Sequence, residues 1–430
     1  MRTLLVYSMA FLLVTLTACG KTATEKEKAP MNQQFIGEWS GDIEIPKQPL
    51  PIQLTLDKDK GTFSVPVQGL HDYPFEKPDY DGDAVAIRFI LNQSTIQIEG
   101  ELKDGKIAAV FKQNGGSFPL VLSPVESSGH AVTYETISIP VKGGELKAAL
   151  QRATVKPEGS DQAPVALILA GSGPTNKDGN SMGAGKNDSL KLLAEGLAAQ
   201  GIASIRYDKR GIGENMALAG SEEELSFDDF VEDAAAAIEL LSSMKEFTSV
   251  HVIGHSEGSL IGMIAANTAN AQSYVSLAGA GKPIDEVLLA QLKGQLSPKL
   301  FEESEAILQS LKNGKSVSTV SPDLNALFRA SVQPYLISWL AYNPAQEIKK
   351  LHIPALILQG NTDIQVLVED AKALAEAKSE AKLHIVEGMN HVLKKAPADR
   401  EQNLATYSDQ SLPLHEELIP LLSEFILSTP

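Results

Sequence analysis

One serine in this chain stands in a local sequence that suits a nucleophile. Residues 250–253 form an apolar run rich in β-branched side chains, and Gly-His-Ser-Glu-Gly follows at 254–258, leading into small residues with helical spacing. Such a strand–turn–helix places Ser256 on a tight bend, where its hydroxyl stands clear of the backbone. The two glycines leave the room that the bend needs. Ser256 is therefore the candidate nucleophile.

A base and an acid are expected for this serine, because a neutral hydroxyl needs a base to accept its proton and the base needs an oriented carboxylate. In parallel sheets active groups gather at the carboxyl ends of strands. Residues 355–359 read as a strand that leads to Asp363, and residues 383–386 read as a strand that leads to His391. The order Ser256, Asp363, His391 suits a catalytic triad. Asp370, seven residues after Asp363, is the alternative acid, but it lies one helical turn too far from the end of the strand.

Two backbone N–H groups are expected to stabilise the oxyanion that forms when a serine attacks a carbonyl. The first is that of Glu257, directly after the nucleophile, and the second is that of Ser172, in the glycine-rich loop after the strand at 164–170. A phosphate-binding loop is the alternative interpretation of that loop, but the Lys-Ser/Thr that closes such loops is missing.

From about residue 134 to its end the chain resembles α/β-hydrolases of the serine aminopeptidase-like and prolyl oligopeptidase-like group, found among bacterial exported esterases. The resemblance implies Ser256, Asp363 and His391 as the triad and Ser172 with Glu257 as oxyanion donors. It rests on five segments: LILAGSGPTNKDGN at 167–180, RYDKRGIGEN at 206–215, VIGHSEG at 252–258, QGNTD at 359–363 and GMNH at 388–391.

Two positions depart from the family pattern. Asn215 stands where Ser or Thr is common, and Lys177 stands where arginine is common. Both are expected to alter loop packing and not the chemistry. Asp208 and Arg210 are expected to tie the loop after the strand at 202–207 to the oxyanion loop.

The elements around these motifs predict an α/β-hydrolase fold over residues 132–430, with a mostly parallel sheet flanked by helices. A leading hairpin at 136–140 and 145–152 precedes six core strands. Helical spacing recurs at 189–200, 227–243, 256–267, 368–377 and 415–427. Residues 282–345 interrupt the alternation with helices and aromatic side chains, which indicates a helical cap insertion before the penultimate strand.

Residues 35–125 predict a small all-β domain, a sandwich or a barrel, because short alternating segments are separated by turn signals such as Asp-Gly and Asn-Gly. Asp79, Asp81 and Asp83 suggest a calcium loop, but the glycine comes too early and Ile90 stands where the closing glutamate belongs. A solvated turn is the preferred interpretation. No cofactor and no metal is predicted for the chain.

The N-terminus predicts export. Of 430 residues the one cysteine is Cys19, preceded by a positive start and a short apolar run that together suit a lipoprotein signal peptide over residues 1–18. Residues 19–34 read as a flexible tether. A lipid on Cys19 would hold the enzyme at a bacterial membrane; an ordinary cleaved signal or a short uncleaved anchor is the alternative. The net charge of −17 argues against nucleic acid and against docking on anionic lipid.

The residues together predict a serine hydrolase that cleaves carboxylic esters with small acyl groups through an acyl-enzyme. The alternative substrate is a small peptide or amide, whose amine an acidic cap residue (Glu302, Glu303 or Glu305) would anchor, although a solvated helix face also explains these glutamates. A third hypothesis is a surface-tethered binding protein with a relict hydrolase domain.

Overall fold

A computed structural model of the chain describes residues 33–46, 49–65, 70–91, 94–125, 134–155, 161–181 and 185–429. The signal peptide, Cys19 and nearly all of the tether lie outside these residues, so export and lipid attachment stay predictions. Within the described ranges, no helix is both long enough and apolar enough to cross a membrane.

The N-terminal region forms one antiparallel sheet of nine strands, in the order β4-β3-β2-β1-β9-β8-β7-β6-β5. The predicted hairpin turns are present: Asp104-Gly105 and Asn114-Gly115 all have positive φ, as type I′ turns require. The strands are β1 Gly37–Ile43, β2 Leu50–Leu56, β3 Lys60–Val65, β4 Leu70–Glu76, β5 Asp79–Asp81, β6 Ala84–Leu91, β7 Ser94–Lys103, β8 Lys106–Gln113 and β9 Gly116–Pro124.

This sheet curls until strands far apart in the strand order share one core. The ring of Phe63 in β3 lies 5.2 Å from that of Phe89 in β6 and 6.3 Å from that of Phe111 in β8. The Tyr73 hydroxyl of β4 donates to the Ile90 carbonyl of β6 at 2.6 Å. The described residues of this region form one continuous curled sheet. Of the two predicted forms, this favours the barrel-like one over the sandwich.

The second sheet has eight strands in the order β10-β11-β13-β12-β14-β15-β16-β17. The predicted hairpin β10–β11 is antiparallel and pairs antiparallel with β13, while the remaining neighbours are parallel. The predicted mostly parallel sheet is confirmed. Its strands are β10 Glu135–Val141, β11 Gly144–Gln151, β12 Ala163–Leu169, β13 Ala203–Tyr207, β14 Phe247–His255, β15 Ser273–Leu277, β16 Ala355–Gly360 and β17 Lys382–Val386.

Helices cover both faces of this sheet, since α2 and α3 pack in one apolar cluster and α1 and α11 in another. The five predicted helices are present, and a short one, α10, was not predicted. They are α1 Ser189–Ala199, α2 Phe227–Ser243, α3 Glu257–Thr268, α9 Val368–Ala377, α10 Arg400–Ala405 and α11 Leu418–Ser428.

Between β15 and β16 the chain is helical, as predicted for the cap. Its helices are α4 Ile284–Leu292, α5 Pro298–Lys312, α6 Asn325–Phe328, α7 Gln333–Leu340 and α8 Pro344–Glu347. The cap has an apolar core of its own and rests on α2 through Phe227, whose ring stacks on that of Trp339 at 5.7 Å. The cap thereby adds a separately packed layer beside the sheet.

Candidate active site

Ser256 occupies the sharp bend between β14 and α3. Its φ of 54° and ψ of −120° are a strained backbone conformation for a residue with a side chain. The bend is held by the Ser256 N–H, which donates to the Leu277 carbonyl at 3.0 Å. A Cβ on Gly254 would lie 2.2 Å from the carbonyl oxygen of Gly258, so the two glycines are required for this turn.

Replacement of Gly258 by alanine is expected to destabilise the enzyme. The added Cβ would lie 2.4 Å from the Leu169 carbonyl oxygen and 2.7 Å from that of Ala170, both of them backbone atoms that cannot turn aside. A cost of about 1–3 kcal/mol is expected, since overpacking in a core typically costs that much. Thermal unfolding followed by circular dichroism measures it.

Gly196→Ala is the matched control for this substitution. Gly196 is also a helical glycine, but its added Cβ would meet Cδ1 of Ile419, the flexible end of a side chain. The drop in melting temperature should therefore be larger for Gly258→Ala. Equal drops would show that α3 can move away from β12 at little cost, contrary to this account.

Asp363 and His391 form a buried hydrogen-bonded pair. The His391 Nδ1–H donates to Asp363 Oδ2 at 2.8 Å, and Gln359 Nε2 donates to the same oxygen at 3.1 Å. Asp363 Oδ1 accepts from the backbone N–H groups of Gln365 and Val366 at 2.8 and 3.0 Å. Burial alone would raise the pKa of Asp363, but His391 and these donors outweigh it and hold the pKa below its usual range. Asp363 is thus a fixed carboxylate that orients the imidazole.

Asp370, the alternative acid, has a different role in the structure. Its Oδ1 accepts from the Gly281 N–H at 3.0 Å, and its Oδ2 accepts from the Leu367 N–H at 3.3 Å. Asp370 thus accepts a hydrogen bond at the N-terminus of α9. It also ties α9 to Gly281, just before the helical insertion begins. The preference for Asp363 as the partner of the histidine is therefore supported by the geometry.

His255 connects the Ser256 bend to the loop that carries His391. It directly precedes Ser256, its Nε2–H donates to the His391 carbonyl at 2.8 Å, and the two imidazole centroids are 4.9 Å apart. Burial, with the neighbouring His391, lowers the pKa of His255 to about 4, so this ring is neutral at neutral pH. The sequence analysis assigned His255 no role, so it missed this link.

His391 keeps one ring nitrogen that Asp363 does not engage. Asp363 occupies Nδ1 of His391, which leaves Nε2 as the nitrogen for the serine proton. Within the described part of the chain, no hydrogen bond joins Ser256 Oγ to His391. Such bonds are commonly long in enzymes without substrate and shorten in the reacting complex.

The predicted oxyanion loop lies against Ser256. A Cβ on Gly171 would lie 3.1 Å from Cβ and 3.5 Å from Oγ of Ser256, so the Gly171–Ser172 peptide runs directly beside the serine. Glu257 is the first residue of α3, where backbone N–H groups have no partner within the helix. Glu257 therefore follows Ser256 directly, and Ser172 follows the glycine that lies against it.

Asp208 and Arg210, in the loop after β13, were both expected to bond to the oxyanion loop, and only Asp208 does so. Asp208 does tie this loop to the oxyanion loop, because it accepts from the Lys177 N–H at 2.7 Å. The expectation for Arg210 was wrong: its Nε donates to Asp233 of α2 at 2.8 Å, so it joins the loop to a helix. The departure at Asn215 has a packing role, since its side chain exchanges two hydrogen bonds with the Lys147 backbone.

Lys209, which lies between Asp208 and Arg210, was not singled out in the sequence analysis. Its Nζ donates to the Gly171 carbonyl at 2.7 Å and to Glu257 Oε2 at 2.6 Å. A lysine two residues after the end of a core strand, at the sheet edge where active groups gather, was the available signal. Among the described residues, no group of three or more His, Cys, Asp or Glu side chains could hold a metal ion.

Comparison with known proteins gives a match to a family model and a match to a relative. The family model described as serine aminopeptidase, S33, matches residues 185–395. Esterase EstD of Thermotoga maritima is 30% identical over 297 residues, which are 68% of this chain and 67% of EstD.

Two solved structures are more distantly similar, and their TM-scores are too low to add to the assignment. Est1E from Butyrivibrio proteoclasticus is 18% identical with a TM-score of 0.44, over 68% of this chain and 98% of its own. Dienelactone hydrolase from Anabaena variabilis is 16% identical with a TM-score of 0.41, over 70% of this chain and 99% of its own. On the relationship to EstD and the match to the family model, this chain belongs to the α/β-hydrolase superfamily and is a serine hydrolase.

Proposed function

We propose that this enzyme hydrolyses carboxylic esters with small acyl groups, with Ser256 as nucleophile, His391 as general base and acid, and Asp363 as the residue that orients the histidine. The buried Asp363–His391 pair beside the strained serine bend is the observation that carries the proposal. The relationship to EstD, named an esterase, supports an ester as the substrate.

The chemistry follows from these positions in two steps. Ser256 Oγ attacks the ester carbonyl while His391 Nε2 takes its proton, and the N–H groups of Ser172 and Glu257 stabilise the oxyanion. The alcohol leaves with the proton from His391, which forms the acyl-enzyme. Water, deprotonated by the same nitrogen, then attacks the acyl group and restores the free serine.

The preference for small acyl groups is supported by the closeness of the oxyanion loop to the serine. The Gly171 backbone lies so near that even an added methyl group would be 3.1 Å from Ser256 Cβ. Little room is left for acyl bulk on that side. Hydrolysis of nitrophenyl esters should therefore fall as the acyl chain lengthens from acetate, and a preference for long chains would contradict this part of the proposal.

Peptide or amide hydrolysis is the second candidate, because the matching family model is described as a serine aminopeptidase. An aminopeptidase needs a free carboxylate for the substrate amine. Glu303, one of the three cap glutamates considered for that role, instead accepts from the Ser321 N–H and hydroxyl at 2.7 and 2.6 Å. Glu302 and Glu305 are exposed on α5, as expected for a solvated helix face.

A paired assay separates these functions. We expect the enzyme to hydrolyse p-nitrophenyl acetate with a far higher kcat/KM than alanine p-nitroanilide, both measured beside Ser256→Ala. A higher kcat/KM on the anilide would overturn the ester proposal in favour of a peptidase. The family match and the kinship with EstD argue against the third hypothesis, a non-catalytic binding protein.

We also propose, from the sequence alone, that a lipid on Cys19 anchors the enzyme to a bacterial membrane. Cells fed a radiolabelled fatty acid should label the wild-type protein and not Cys19→Ser. Labelling of neither protein would contradict the anchor.

A further inference from the structure

A buried lysine lies behind the oxyanion loop and contacts both sides of the proposed oxyanion hole. Lys209 is the second residue after β13 and is 5% exposed. Its Nζ donates to the Gly171 carbonyl at 2.7 Å and to Glu257 Oε2 at 2.6 Å, and it lies 5.2 Å from the centre of the Phe230 ring. These partners are 38 and 48 residues away along the chain, so only the fold brings the three together.

The bond to Gly171 acts on a catalytic group through a single peptide unit. The Gly171 carbonyl and the Ser172 N–H belong to the same planar peptide, in which C=O and N–H point in opposite directions. Whatever holds the carbonyl therefore also sets the direction of the N–H. Glycines at 171 and 173, the latter with a φ of +71°, leave this segment little intrinsic stiffness. Lys209 supplies the constraint that the loop sequence lacks.

The bond to Glu257 anchors the lysine and balances its charge. Both side chains are almost fully buried, at 6% and 1% exposure. Within the described part of the chain, Glu257 Oε1 has no hydrogen-bond partner. Lys209 is thus the group that offsets a buried carboxylate one residue from the nucleophile, where uncompensated negative charge would oppose the oxyanion.

We propose that Lys209 is a positioning residue for the oxyanion hole: held by Glu257, its ammonium fixes the Gly171–Ser172 peptide with the N–H available to the oxyanion. The inference rests on the proposed ester hydrolysis. It predicts that the lysine affects the transition state and not the binding of the ground-state ester.

The test compares Lys209→Met with the double variant Lys209→Met/Glu257→Gln. Both substitutions nearly preserve side-chain volume, and the double variant removes both charges, so no buried carboxylate is left unpaired. If Lys209 positions the peptide, kcat on p-nitrophenyl acetate should fall about 10²-fold in both variants with KM within a few-fold, since loss of one oxyanion donor typically costs 10²–10³. Thermal unfolding should be close to wild type in the double variant.

A second measurement reports on the oxyanion directly. A boronic acid inhibitor forms a tetrahedral adduct with the serine that resembles the reaction intermediate, so its affinity should weaken in the double variant by the same factor as kcat. If the double variant instead recovers wild-type kcat and inhibitor affinity, Lys209 only neutralises Glu257 and the proposal is wrong. The double variant keeps the test decisive even where Lys209→Met does not fold.

The control for a lost lysine–carbonyl bond is Lys378→Met. Lys378 Nζ donates to the Leu351 carbonyl at 2.8 Å, away from Ser256, and its loss should leave kcat unchanged. Failure of the proposed function would be seen separately, because wild type and Ser256→Ala would then hydrolyse the ester equally.

Discussion

Replacement of Ser256 by alanine is expected to lower kcat on p-nitrophenyl acetate about 10⁶-fold, the scale found when a serine hydrolase loses its nucleophile. The strained backbone at this position and the buried His391–Asp363 pair support this expectation, because both suit a serine that presents its Oγ to a substrate. The change removes a single oxygen at a half-buried position, so the fold should be kept.

Two measurements check this result. Steady-state kinetics gives the loss in kcat, and a fluorophosphonate probe should label wild type and leave Ser256→Ala unlabelled. Ser242→Ala is the control, because the Ser242 hydroxyl only donates to the Ile238 carbonyl within α2. Labelling and turnover in Ser256→Ala at the level of the control would show that the nucleophile lies elsewhere.

Replacement of Asp363 by asparagine is expected to lower kcat about 10⁴-fold, as for the buried aspartate of other triads. The direction follows from the donors around the carboxylate. The N–H groups of Gln365 and Val366 both point at Oδ1, so the amide oxygen must take that place. The amide NH₂ then faces His391, which can accept at Nδ1 only by moving its proton to Nε2. With the proton there, the histidine cannot accept the one from Ser256.

Asp370→Asn is the matched control for this prediction. Asp370 is an equally buried carboxylate, but it accepts from backbone N–H groups at the start of α9 and touches no catalytic group. Its change should cost stability of about 1 kcal/mol, as for the loss of a helix cap, and leave kcat within a few-fold. If the two variants exchanged these effects, Asp370 would be the triad acid.

The local features of this enzyme could be predicted because short-range sterics decide them. The glycines around Ser256 are needed because a Cβ there would collide with backbone atoms, and the Asn-Gly and Asp-Gly turns of the N-terminal sheet need positive φ angles that other residues adopt poorly. Helical periodicity located α2 and α9 with their observed bounds. The short α10, with only six residues, was too brief for periodicity to indicate it.

Features that depend on partners far along the chain could not be predicted in the same way. Alternating strands at 35–125 predict a sheet with one buried face, but whether that face meets a second sheet or its own far end depends on curvature. Arg210 had several acidic residues within reach on the basis of sequence, and only packing selected Asp233. The same holds for His255, whose contact with His391 spans 136 residues.

The sequence by itself determined the parallel sheet and marked Ser256, Asp363 and His391 as the candidate triad, because each is indicated by a strand end and the few residues after it. Only the tertiary structure decided that Asp363 and not Asp370 holds the histidine, and that Lys209 lies behind the oxyanion loop. The physical reason is that a hydrogen bond between distant segments depends on strand register and helix packing, which no local pattern contains.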